Sequence, residues 1–375
     1  MMADFNLRTL ANFGAFLPDS AEEPVAMPGD LKTSILSAVS SAITPGTRTA
    51  IALSGGVDSA CVAAMAKGAI NEAWVFNAGG AVPAAKHAAA ELGIDLRIVE
   101  QAKGGILGTP VADVVAALGH PTHSAAPFAF LQLYRAMAAD GVQRVLTGDG
   151  ADELFAGHAY HRISQPEFAA AKQPEAFWAA YCELRGVAAQ VELNSIVKPS
   201  HSGRWADWTQ SELASVTFAA AMSRTDTADR LRFVDVMLRM GPQCVDLQAA
   251  LCAFVGIEYA APLSDRRVVC AALSVPSLLD TERGKSPLRQ ILTDSLGARW
   301  QDVPKDPIAS QTGGRASHEL PAEWCELLAG AMVEEHGIFD VDAIQARRGA
   351  LDPTNPWLPR SLVVAATTHA QLGQG

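Results

Sequence analysis

Residues 49–59 read Thr-Ala-Ile-Ala-Leu-Ser-Gly-Gly-Val-Asp-Ser, an apolar run that breaks into a glycine turn and then into a helical pattern. A strand at 49–53 followed at once by a helix over 58–68 is the opening of a βαβ unit. Further runs at 72–77, 95–99 and 143–147 predict strands, and helical patterns at 82–92 and 126–140 fill the intervals. Gly68 and Gly93 close two of those helices. The alternation predicts an α/β fold with a doubly wound parallel sheet, helices on both faces and ligands beyond the carboxyl ends of the strands. After about residue 165 the strand signals fade. Helical patterns at 208–222, 227–240, 243–255 and 286–296 predict a mainly helical C-terminal half, interrupted by loops at 197–206, 302–316 and 352–360. Residues 1–30 read as an N-terminal arm, 31–165 as the α/β part, and 166–375 as a helical part that completes the active site.

Composition narrows the function. The 375 residues are 49% hydrophobic and 18% charged, with 29 Lys plus Arg against 40 Asp plus Glu and a net charge of −11. That is ample for a core and excludes a disordered chain. It lacks the overall basic field of a nucleic-acid coat, so no nucleic-acid partner is expected. The longest stretch free of Asp, Glu, Lys and Arg, 114–134, contains Gly119, two prolines and two histidines, and does not read as a membrane span. The start, MMADFNLRTL, shows no secretory signal, and the six cysteines form no CxxC pair. They read as buried thiols, and the protein is expected in the cytoplasm.

The turn at 54–59 carries the first chemistry. Gly55 and Gly56 let the backbone turn sharply, and the helix that follows presents unpaired N–H groups and a positive dipole end to an anion. Ser54 and Ser59 add hydroxyl donors. Asp58 is unwelcome beside bare phosphate, which implies a divalent cation such as magnesium between them. The pattern G-x-x-x-x-G-K-[ST] is absent. A serine-hydrolase elbow with Ser54 as nucleophile and a late base such as His336 stays open as an alternative.

The second cluster is Thr147-Gly148-Asp149-Gly150-Ala151-Asp152-Glu153-Leu154-Phe155-Ala156-Gly157-His158, at the end of the 143–147 strand. In a parallel sheet this is the rim that carries Ser54–Ser59, so Asp58 and Asp152 can share one metal. The pairs His120/His123 and His158/His161 have zinc-like spacing but neither cysteines nor H-E-x-x-H around them, so ligation is not expected. His158 follows the acidic motif and is placed to face a substrate. The Trp and Phe residues read as core.

SGGVDS is similar to the loop of ATP pyrophosphatases, and together with TGDGADELFAGH it resembles the synthetase domain of asparagine synthetase, β-lactam synthetase and lasso-peptide cyclase. Gly256-Ile257-Glu258 leading to Pro262 and Asp265, Lys285-Ser286-Pro287-Leu288-Arg289, and Lys305 extend the likeness over roughly residues 30–315. The resemblance implies ATP and Mg2+ as cofactors, with a substrate carboxylate activated as its adenylate and passed to an amine or ammonia. It assigns Leu53, Ser54, Gly55, Gly56, Asp58, Ser59, Gly148 and Gly150 to ATP. Asp58 and Asp152 would hold the metal, Asp149 would accept the amine's proton, and Lys285 would stabilise the acyl transition state and leaving phosphate.

The pattern also departs from that family. No cysteine precedes Cys61, so glutamine hydrolysis in cis is not expected; nitrogen would come from free ammonia, a partner glutaminase, or an amine on the substrate or a second substrate, and a carrier protein is a further candidate partner. The family's arginine between Glu258 and Pro262 is replaced by Ala260 or Ala261, its aromatic after the acidic stretch is His158, and the segment NAGGAVPAA lacks the usual acidic and serine pattern. These changes argue against aspartate and for an amide, lactam or macrolactam step in specialised metabolism. An ammonia- or partner-dependent asparagine synthetase and a nucleotide-binding partner protein without turnover are the remaining alternatives.

Overall fold

The computed structural model describes residues 30–78, 81–122, 124–162, 168, 170–182, 196, 198, 219–224, 227–274, 283–303, 320–329, 337–349 and 360–372. Its centre is a five-stranded parallel sheet in the order β3-β2-β1-β4-β5. The strands are β1 (Thr49–Ala52), β2 (Glu72–Phe76), β3 (Asp95–Val99), β4 (Arg144–Leu146) and β5 (Glu258–Ala260). Ile51 pairs with Ala73 on one side and Leu146 on the other, and Leu146 pairs in turn with Ala260. The chain winds outward from β1 in both directions, so a topological switch point falls between β1 and β4.

Alternation along the strands creates two cores. Ile51, Leu53, Ala73 and Leu146 face one layer with Ile35, Val62, Leu288 and Trp300. Ala50, Trp74 and Val145 face the other with Phe128, Tyr134, Leu251, Trp324 and Leu362. Successive side chains of a strand point to opposite faces, so a sheet apolar on both faces must be covered twice. On the first face lie helices Leu31–Ala42, Val57–Met65 and Ser286–Leu296; on the second lie Val111–Leu118, Ala126–Ala139, Asp246–Phe254 and Arg360–Leu372. Asp30 caps the first of these by accepting the Thr33 N–H at 2.8 Å.

The fold is the doubly wound α/β sheet expected from the sequence, with three differences. β5 lies in the half read as helical; its three residues are too few to show a period. The expected helices 227–240 and 243–255 form one continuous rod, in which Thr227–Asp235 runs through a π-helical segment, Val236–Val245, into Asp246–Phe254. Pro242 lies within that segment, and a proline, lacking an N–H, is accommodated where the regular ladder is already broken. Finally, of the thiols read as buried, Cys61 and Cys252 are so, whereas Cys244, Cys270 and Cys325 are half-buried; all five are free. Most of 208–222, 197–206, 302–316 and 352–360 lies outside the described residues, as do residues 1–29 of the arm, His123, Lys305 and His336. Among the described residues no helix is long and apolar enough to cross a membrane.

Gly55 is fixed by this architecture. Its φ is +81°, and a Cβ there would meet the Ala84 carbonyl carbon at 2.3 Å, against the backbone of helix Ala81–Leu92. Gly55→Ala therefore combines left-handed strain with a backbone clash. A loss of at least about 2 kcal/mol in urea unfolding is expected, where an ordinary surface Gly→Ala change costs little.

Candidate functional site

The loops after β1 and β4 meet at the switch point. Gly56 begins helix Val57–Met65 with no side-chain cap, which leaves the first-turn N–H groups to a ligand. The Ser54 hydroxyl accepts the Gly56 N–H at 3.3 Å and lies 3.2 Å from the Ser59 hydroxyl, so the two serines hold the turn closed. No described histidine lies within hydrogen-bond reach of Ser54, and the described contacts supply no base for a serine nucleophile.

Opposite this turn, the acidic motif makes a left-handed start at Gly150 and the short helix Ala151–Leu154. Asp152 projects back toward Asp58, and Lys285 closes the gap. Its Nζ lies 2.5 Å from Asp58 Oδ2 and 2.9 Å from Asp152 Oδ1. Burial by itself would lower the Lys285 pKa, but the charges of Asp58 and Asp152 outweigh it and hold the ammonium protonated, above its ordinary value. The backbone of Lys285 is left-handed, φ 60°, and its N–H donates to Phe155 O at 2.7 Å. A non-glycine residue in that region stores of order 1–3 kcal/mol, which the surrounding packing must sustain. Gly157 makes the junction possible: a Cβ there would lie 2.0 Å from Asp152 Oδ1 and 2.3 Å from Lys285 Cε.

Two carboxylates converging on one cation form a hard-oxygen donor pair. Among the described residues no group of three or more His, Cys, Asp or Glu could hold a metal by itself. The pair therefore fits a cation that takes its other ligands from phosphate and water, as magnesium does.

Asp149 sits beside this junction. Its Oδ2 accepts hydrogen bonds from Thr147 Oγ1 and from Tyr259 Oη, both at 2.7 Å, and Ser264 Oγ donates to its carbonyl at 3.1 Å. Burial pushes the carboxyl up from 3.8 to about 6; the Thr147 and Tyr259 hydrogen bonds oppose the shift, while Glu153 and Asp58 add to it.

A cavity of about 260 Å3 joins these parts. Leu53, Ser54, Asp58, Ser59, Gly148, Asp149, Gly150 and Asp152 line one side. Gly55, Gly56 and Lys285 bear on it through the turn and through the two carboxylates. The other walls were not foreseen. Trp74, Val75, Phe76 and Phe130 form an apolar recess; Trp74 belongs to the second core and Phe76 and Phe130 pack against it, so these core aromatics also wall the cavity, while Trp300 and Trp324 are fully buried. Glu153, His158, Arg239 and Cys244 form a polar end, two of them brought by the π-helical segment. Tyr259 has no motif signal; Arg239 is marked only by lying near Pro242, and π-helical segments recur at functional sites.

The polar end is a connected network. His158 Nε2 lies 2.9 Å from Glu153 Oε1, His161 Nε2 lies 2.7 Å from Asp235 Oδ2, and Arg239 lies within 4.0 Å of Glu153 and 3.5 Å of Asp235. Tyr181 donates to Asp235 at 2.6 Å, and Tyr160 donates to it as well. Both histidines of this pair thus have carboxylate partners.

An anion-cradling turn facing paired carboxylates across the switch point of a parallel sheet is the architecture of a nucleotide-using α/β enzyme. The chain belongs to the asparagine synthase family, whose model matches residues 30–358. In class it is an ATP-dependent, amide-forming synthetase, a carbon–nitrogen ligase. No curated protein matches the chain.

Proposed function

We propose that the protein adenylates a substrate carboxylate, with release of pyrophosphate, and transfers the acyl group to an amine or ammonia in an amide, lactam or macrolactam step of specialised metabolism. The observation that carries this reading is the convergence of Asp58, Asp152 and Lys285 at one point beside the 54–59 turn. The N–H groups and hydroxyls of residues 54–59 bind the phosphates, and the recess of Trp74, Phe76 and Phe130 takes the base. Asp58 and Asp152 would hold magnesium, which would supply charge neutralisation on the phosphate oxygens. Lys285 moves from its two carboxylates to the oxygens on which charge develops, where a fixed cation lowers a barrier by a few kcal/mol. Asp149 accepts the proton shed as nitrogen attacks, since an amine is nucleophilic only when neutral. The α/β part, 31–165, and the helical part, 166–375, work as one unit, because Lys285 and Tyr259 come from the second. Nitrogen comes from a substrate amine or from a partner glutaminase or carrier, and the reaction is cytoplasmic.

Exchange of labelled pyrophosphate into ATP, dependent on Mg2+ and on a metabolite extract of the source cells, tests the adenylation half. Exchange in no fraction would overturn it.

Asp149 gives a second, separable test. Its folded carboxyl is raised from 3.8 to about 6, so in that interval folding takes up a proton and this group weakens the fold as pH rises through it. Asp149→Asn should therefore melt above the wild type at pH 7 and near it at pH 4, while amide formation falls about 100-fold or more. The wild-type rate should fall on the acid side with a midpoint near 6, the value set by burial of the carboxyl.

A further inference from the structure

Making an amide from an ammonium ion releases two protons. One must leave before nitrogen has a lone pair, and one leaves as the carbon–nitrogen bond forms. Asp149 accounts for one. Its carboxylate is already engaged at Oδ2 by Thr147 and Tyr259, and a single carboxylate holds a single proton.

His158 is the other group with the required properties. Its side chain is 23% exposed and lines the cavity, whereas its partner Glu153 is 2% exposed. Nε2 lies 2.9 Å from Glu153 Oε1 and 3.4 Å from Arg239 Nη1; the shorter contact, to a carboxylate acceptor, assigns the hydrogen to Nε2. That leaves Nδ1 of the neutral ring as a proton acceptor. Arg239 lies within 4.0 Å of the same Glu153 oxygen, so donors flank that carboxylate on two sides. A buried carboxylate behind an imidazole that faces a ligand cavity both orients the ring and stabilises its protonated form. The ring is held flat against Tyr160, with centroids 5.1 Å apart and planes 11° from parallel. The charged and titratable groups around it are Glu153, His161 at 5.3 Å between ring centroids, Tyr160, Asp235 behind those two rings, and Arg239 Nη1 at 3.4 Å from Nε2.

Resting on the ligase reading above, we propose that His158 takes the first proton from the attacking nitrogen, so that the donor is a primary amine or ammonia that enters as its ammonium ion. An N–H bond of the ammonium breaks and the proton passes to His158 Nδ1. The freed lone pair forms the carbon–nitrogen bond, and the acyl carbon–oxygen bond to AMP breaks with its electron pair on the phosphate oxygen. The second proton passes to Asp149, and both protons return to solvent. Asp149 lies beside the 54–59 turn, because Gly148 packs against Asp58 so closely that a Cβ would lie 2.7 Å from the Asp58 carbonyl carbon.

The test compares the wild type with His158→Phe, which keeps a planar ring on Tyr160, and His158→Gln. A metabolite extract of the source cells supplies the substrates. Both variants should retain extract-dependent ATP–pyrophosphate exchange, which needs no nitrogen and reports an intact fold. Their extract-driven AMP release at pH 7 should fall about 100-fold, the usual effect of losing a general base. Added hydroxylamine, which is neutral at pH 7 and has only one proton to lose, should restore it to within a few-fold of the wild type. AMP release unchanged in both variants, or lost without rescue while exchange persists, would overturn the proposal. Loss of exchange in both variants would also overturn it, by placing His158 in folding or adenylation. Absence of exchange in the wild type would overturn the ligase reading, and this proposal with it.

Discussion

Replacing Asp152 with asparagine is expected to abolish extract-dependent ATP–pyrophosphate exchange, by about 1,000-fold or more, with little change in thermal stability. The size of the effect follows from the geometry. Asp58 and Asp152 are the two carboxylates that meet at Lys285, at 2.5 and 2.9 Å, and among the described residues they are the pair placed to hold a cation between turn and phosphates. Removing one charge halves the pair's contribution and leaves the phosphate oxygens less neutralised where charge builds up. The fold should survive, because Asp152 is 28% exposed and its amide isostere still accepts from Lys285. Exchange at wild-type rate in Asp152→Asn would remove the metal assignment, as would full exchange in Asp58→Asn.

Lys285→Met should have the second-largest effect, and on two readouts at once. Lys285 is 7% exposed on its side chain and separates two carboxylates that would otherwise repel one another. Taking away one partner of such a buried group typically costs about 3–5 kcal/mol; the exposure of Asp58 and Asp152 puts this site toward the lower end. Unfolding in urea should show that loss, and magnesium should restore part of it by taking the place of the ammonium. Amide formation should fall about 1,000-fold even with magnesium saturating, because the cation opposite the developing charge is gone. A variant with wild-type turnover would show that Lys285 is only a structural counter-ion. Lys285→Arg is a sharper control for position, because it keeps the charge while changing the shape of the group packed closely against Gly157, where a Cβ would lie 2.3 Å from Lys285 Cε.

The parts of the site that could be read from the chain are those where backbone chemistry and side-chain chemistry coincide in a few consecutive residues. Leu53–Ser59 and Thr147–Glu153 each combine glycines, which permit the turn, with the donors or carboxylates that use it, and each follows a strand whose apolar run is visible. Parallel pairing of β1 with β4 then brings them to one rim. Lys285 was legible only through its short K-x-x-L-R context, since nothing local indicates that it reaches Asp58, 227 positions away in the chain. Glu153 lies inside a motif that had been read, yet its pairing with His158 depends on the turn at Ala156, φ 52°, where a non-glycine residue gives no warning of a left-handed backbone. Arg239 and Cys244 reach the cavity because Val236–Val245 is π-helical, which shifts side chains relative to the regular 3.6-residue period from which helix faces are read. Tyr259 belongs to a strand of three residues and takes its meaning from Asp149, on the neighbouring strand's loop.

The central claim is that ATP is cleaved between its α- and β-phosphates to activate a carboxylate. The most direct measurement is the nucleotide products after incubation with ATP, Mg2+ and a metabolite extract of the source cells, with Asp152→Asn in parallel. The account predicts AMP and pyrophosphate in equal amounts, formed only when wild-type protein and extract are both present. ADP and orthophosphate as the products, or AMP formed equally by the Asp152→Asn variant, would contradict it.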